Sequence, residues 1–139
     1  MTTSSTSSTS PATTRPRAAA LAVGGAVLAT ALLWAVAQIL GTDLRVDPRN
    51  GQPPGVISLP FAAVLTLVLS LLGWGTRALL DRLTRRAPVI WAVIAVLVLL
   101  VSFLPLFAVE ATGGTKAILA LMHLAVGAVL IPVFGRRTA

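Results

Sequence analysis

The stretch "VIWAVIAVLVLLVSFLPLF", residues 89–107, decides what this chain can fold into. It carries no charge and does not alternate apolar with polar residues, as a strand of a membrane barrel would. Helices and closed barrels are the only structures that cross a bilayer, because hydrocarbon leaves no partner for an open backbone. A helix needs ~20 apolar residues to cross a ~30 Å core, and this stretch supplies them. Outward from it, charged residues cut the chain into four uncharged runs, at 18–42, 50–76, 87–109 and 117–135. Trimming polar ends leaves four expected spans: 18–40, 59–76, 87–109 and 117–134. The expected fold is all-α, a four-transmembrane-helix bundle.

Composition agrees with this. Of 139 residues, 56% are hydrophobic and only 11% charged, with a mean hydropathy of +0.92. A soluble domain carries ~25% charged residues. The net charge of +7 would suggest nucleic acid in a soluble protein. Here the charges lie between long apolar runs, so they report membrane topology and no nucleic-acid partner is expected. There is no cysteine, hence no disulfide or thiol chemistry.

Arginine placement orients the chain. Arg15, Arg17, Arg77, Arg82, Arg85, Arg86, Arg136 and Arg137 fall on one side; Arg45, Arg49 and Lys116 fall on the other. The positive-inside rule puts both termini and the 77–86 loop in the cytoplasm. Trp74 and Trp91 flank that loop, as in an interfacial aromatic belt. Residues 1–17 begin with a Ser/Thr-rich run that has no apolar face to bury, and are expected to be a disordered cytoplasmic tail. Residues 136–139 form a second short tail around the membrane domain, 18–135. "AVAQ" at 35–38 resembles a leader-peptidase site, but the apolar run before it exceeds the ~7–15 residues of a signal-peptide core. The run is therefore read as a retained span.

The first outer loop, residues 41–58, is rich in Pro and Gly and alternates Asp43, Arg45, Asp47 and Arg49. A short extended segment with self-neutralising charges is expected, since the arginines oppose a bound cation. Ser58 before "LPF" reads as a helix N-cap with Pro60 in the first turn. Pro105 removes a backbone donor and should kink the third span near Val101–Ser102. Ala18, Ala22, Ala26 and Thr30 recur at a spacing of four, a stripe that suits close helix packing in lipid. Asp81 stands four residues from both Arg77 and Arg85, which favours helix beyond the membrane.

The chain's single histidine, His123, lies inside the last span. An ionisable group within lipid is costly unless paired, so it is the first candidate for function. Counting ~1.5 Å per residue from the outer end of each span, Ser102, Thr66 and Trp34 reach the same depth. One polar layer of His123, Ser102, Thr66 and Trp34 is the candidate site. It is open to two uses: interhelical packing, or a proton-linked path through an oligomer. If the layer exists, His123→Leu costs the bundle more than Ser102→Ala or Thr66→Ala. Glu110 and Lys116 mark the outer face, where they could pair across a short loop. Arg77, Arg82, Arg85 and Arg86 suit anionic lipid head groups. Haem ligation would take two protomers with one histidine each, and no cofactor or metal site is expected.

"LALMHLAVGAVLIP" at 119–132, the Thr/Lys start of that helix and the four-pass layout together resemble a family of small bacterial, mainly actinobacterial, membrane proteins catalogued only as a domain of unknown function. Met122, His123, Gly127 and Pro132 carry the resemblance. It implies an inner-membrane bundle and supplies no substrate. An Ala-, Arg- and Pro-rich chain with little Lys also fits a high-GC genome. No nucleophile–base pair, metal-ligand cluster or phosphate loop is visible. The expectation is thus a non-catalytic structural or accessory protein of the bacterial cytoplasmic membrane. It would act through lipids, a homo-oligomer or other membrane proteins. A small oligomeric transporter or channel with His123 in its path is the alternative.

Overall fold

The structure, a computed structural model, describes residues 14–136. In chain order it contains α1 (Thr14–Ile39), β1 (Arg45–Val46), β2 (Gly55–Val56), α2 (Leu59–Leu83), α3 (Ala87–Ser102), α4 (Leu104–Ala108) and α5 (Gly113–Gly135). α3 and α4 together form one span, so among the described residues four helical segments are long and apolar enough to cross a membrane: Pro16–Ile39, Leu59–Leu83, Ala87–Ala108 and Gly113–Gly135. The chain is an all-α, multi-pass membrane protein. The tails expected at residues 1–13 and 137–139 lie outside the described residues. Residues 14–17, expected as tail, are instead the first turn of α1. Pro is tolerated in a first turn and Arg is a good helix former, so the helix starts early.

The local signals explain the other boundaries. α1 ends in a Schellman motif: Thr42 N–H donates to Ala37 O at 2.9 Å and Gly41 N–H to Gln38 O at 3.1 Å. Gly41 takes φ +69°, the left-handed conformation this cap requires. Ser58 caps α2, its hydroxyl accepting from Phe61 N–H at 3.4 Å. α2 runs to Leu83, seven residues beyond the span end expected at Thr76, through the Arg77–Asp81 pair. Pro105 has the expected effect, since α3 stops at Ser102 and α4 begins at Leu104. Thr112 caps α5, accepting from Thr115 N–H at 3.2 Å. α5 therefore starts at Gly113, four residues ahead of the expected Ala117.

α1 packs most extensively on α5 and α2, while α3 packs on α5. The buried face of α1 is Ala19, Ala22, Val23, Ala26 and Thr30. Ala22, Ala26 and Thr30 belong to the expected stripe, but Ala18 is exposed and Ala19 takes its place. Small side chains let α1 approach its neighbours closely. Two apolar clusters result. One gathers Ala19, Ala22, Ala26, Trp91, Leu130 and Phe134 near the termini. The other gathers Ala37, Leu44, Ile118, Leu119 and Met122 under the hairpin.

The 41–58 loop is a cap on the bundle. β1 and β2 pair antiparallel, Arg45 opposite Val56 and Val46 opposite Gly55. Asp47 and Glu110 exchange backbone hydrogen bonds at 2.9 and 3.0 Å, tying the hairpin to the α4–α5 connection. Leu44 is fully buried, and Thr115 Oγ1 donates to Asp43 O at 2.7 Å. The extended segment is as expected. The ion pair it forms reaches outside the loop: Arg49 pairs with Glu110 at 3.3 Å, across two loops.

Candidate functional site: a laterally open cleft

A cleft of about 630 Å³ runs along the bundle. α5 forms its floor through Leu119, Met122, Val126 and Leu130, which are buried or half-buried. α2 and α3 form its walls. Phe61, Leu65, Leu69 and Leu72 on one wall and Ile94 and Val98 on the other line the cleft yet stay exposed. Walls that are exposed over a floor that is not describe an opening sideways, between α2 and α3. The hairpin residues Val46 and Ile57 lie at one end with Val109, and Trp91 with Gly73 at the other. A Cβ at Gly73 would stand 3.1 Å from the Trp91 ring, so glycine is what lets α2 meet α3 there. Trp91 is 5% exposed and meets Phe134 edge-on at 5.6 Å between centroids. The belt position expected for Trp91 is therefore replaced by a core position, because Gly73 leaves space for the indole. Trp74 remains exposed.

Thr66, Ser102 and His123 all line this cleft. They do not bond to one another. Thr66 Oγ1 lies 3.1 Å from Thr30 Oγ1, Ser102 Oγ donates to Leu99 O at 2.5 Å, and His123 Nδ1 donates to Leu119 O at 2.6 Å. Trp34 is not part of the lining; its Nε1 donates to Ile57 O at 3.1 Å in the hairpin. Of the expected polar layer, Thr66, Ser102 and His123 line the cleft with separate partners, and Trp34 holds the cap. Ser102 and His123 each sit within reach of a carbonyl three or four residues back, a local bond that competes with any interhelical one. His123 also lies well inside α5. It is ten residues from Gly113, ~15 Å at 1.5 Å per residue, near the midpoint of α5.

Glu110 and Lys116 do not pair; Glu110 pairs with Arg49. At the arginine-rich end, Arg82, Arg85 and Arg86 are exposed, but Arg77 is only 6% exposed. Its guanidinium donates from Nη1 to Phe134 O, from Nη2 to Arg136 O at 3.4 Å, and from Nε and Nη2 to Asp81 Oδ1 at 3.2 and 3.0 Å. The lipid contact expected of Arg77 is corrected accordingly. The last carbonyls of a helix lack intrahelical partners, and Arg77 supplies donors to those of α5. Its i+4 spacing to Asp81 was legible, but the carbonyls it caps are 57 and 59 residues away in the chain.

The sequence reading missed Thr30 as the partner of Thr66; the signal was its place on the α1 stripe. It also missed Thr115, fully buried between the α5 cap and Asp43 O. Ser70 Oγ and Trp91 Nε1 are buried without a hydrogen-bond partner among the described residues. Three or more His, Cys, Asp or Glu side chains do not come together anywhere among them.

No curated protein and no solved structure matches the chain. Residues 10–139, which include all four spans and the cleft, match the model of a family described as "Family of unknown function (DUF6069)". The chain therefore belongs to DUF6069, a family of unknown function.

Proposed function

We propose that this protein is a non-catalytic accessory protein of the bacterial cytoplasmic membrane, and that it takes an apolar molecule from the bilayer into its lateral cleft. The observation that carries the reading is the form of the cleft. It has the ~300–1,000 Å³ size of a ligand site and mostly apolar walls with a few polar groups, the usual make-up of such a site. It meets the lipid between α2 and α3, while the hairpin stands at one end and Trp91 at the other.

Both termini lie in the cytoplasm in this reading. The arginine bias supports it, with eight Arg or Lys on the terminal side against three on the hairpin side. Arg82, Arg85 and Arg86, exposed on that side, would hold anionic lipid head groups. The alternative is an oligomeric channel with His123 in its path; His123 Nδ1 is turned onto its own helix, which leaves only Nε2 for such a role.

The absence of cysteine makes a clean test. A nitroxide attached at Val126→Cys, on the cleft floor, should be relaxed by dissolved oxygen and shielded from a water-soluble nickel complex. Strong relaxation by nickel would mean a water-filled path and would overturn the lateral reading in favour of the channel.

A further inference from the structure

The polar groups in the cleft specify a ligand chemistry. This inference rests on the lateral-cleft reading above. A carbonyl oxygen can only accept, so the 2.6 Å contact of His123 Nδ1 with Leu119 O places a proton on Nδ1. In the neutral ring Nε2 is then a bare acceptor, and among the described residues it has no hydrogen-bond partner. Ser102 has spent its only proton on Leu99 O, so the oxygen it leaves is an acceptor too. The Thr30 and Thr66 hydroxyls bond to each other through one of their two protons, on the α1–α2 side of the cleft. His123 and Ser102 thus offer the cleft acceptors and no donor.

Depth narrows the choice. His123 lies near the midpoint of a 23-residue helix. A phospholipid brings only acyl hydrocarbon to that depth, which leaves Nε2 unpaired, and an unpaired polar group in an apolar setting is costly. A neutral lipid that carries a hydroxyl away from the head-group region satisfies both the walls and the acceptor.

We propose that the cleft binds a neutral, membrane-dissolved alcohol, whose O–H donates to His123 Nε2 while its hydrocarbon lies between α2 and α3. The test uses the full chain in nanodiscs at pH 8. A diazirine-bearing 8-hexadecanol is photocrosslinked and its sites are mapped by mass spectrometry. Unlabelled 8-hexadecanol and its methyl ether compete; in the ether a methyl group replaces the donor proton. Label is expected on cleft residues of α2, α3 and α5. The alcohol should compete about 2- to 10-fold better than the ether, the range of one net hydrogen bond. In His123→Leu the label should remain and the preference should vanish. Equal competition by alcohol and ether in the native protein overturns the alcohol inference and leaves the lateral cleft standing. Label spread evenly over lipid-facing residues of all four spans overturns both.

Discussion

Replacing Arg77 by Met should destabilise the bundle by ~2–4 kcal/mol. Met keeps most of the apolar stem and removes the guanidinium, whose side chain is only 8% exposed. The main loss is the buried, charge-assisted bond to Phe134 O, a class that contributes ~1.5–3 kcal/mol. That carbonyl is left without its donor at the end of α5. The contact to Arg136 O, at 3.4 Å, adds little. The pair with Asp81 is discounted, since the aspartate side chain is 30% exposed and solvent-screened pairs contribute ~0–1 kcal/mol. Equilibrium unfolding in mixed micelles, followed by helical circular dichroism, measures the change. Arg82→Met is the control, because an exposed substitution stays within ~0.5 kcal/mol. If Arg77→Met costs no more than Arg82→Met, the account of α2 holding the end of α5 is wrong. If Asp81→Asn costs as much as Arg77→Met, the ion pair and not the carbonyl contacts holds this end.

The polar residues of the cleft should rank in the reverse of the order expected from a shared layer. A Thr30→Ala, Thr66→Ala double-mutant cycle should give a coupling near the ~0.6 kcal/mol average for polar pairs in membranes. His123→Leu and Ser102→Ala should each cost less than Thr66→Ala, because they lose bonds only to their own helices; a larger loss for His123→Leu would restore an interhelical role for the histidine. At the opposite end, Leu44→Ala should cost ~2–5 kcal/mol, as for a fully buried leucine. It should also loosen the hairpin, read as faster amide exchange at Asp47 and Ile57, whose N–H groups donate to Glu110 O and Leu44 O. Unchanged exchange would mean that the hairpin is held by its backbone bonds alone.

The spans, the Ser58 cap and the break at Pro105 were legible because each depends on residues within a few positions of one another. Helix length in lipid is set by apolar run length, a cap by one hydroxyl, a kink by one missing N–H. The layer of His123, Ser102, Thr66 and Trp34 was legible only in depth. Helix rise fixes how far along its axis a side chain sits; rotation about that axis follows from packing. The four proved to have separate partners for that reason. Arg77 shows the same limit: its i+4 aspartate stands in the sequence, while the Phe134 carbonyl reaches it only when α2 and α5 lie side by side.

Run length and charge thus determined by themselves that this chain has four apolar helices, and how its arginines divide between the two ends. Hydrocarbon forces each span to satisfy its own backbone, so each span could be read alone. The tertiary structure alone decided that α2 and α3 part to leave a cleft, that the 41–58 loop caps the bundle, and that Trp91 and Arg77 turn inward. Those outcomes depend on contacts between residues far apart in the chain, such as Gly73 against Trp91 and Thr115 against Asp43. Side-chain shape selects such contacts among many packings that an apolar pattern would satisfy equally well.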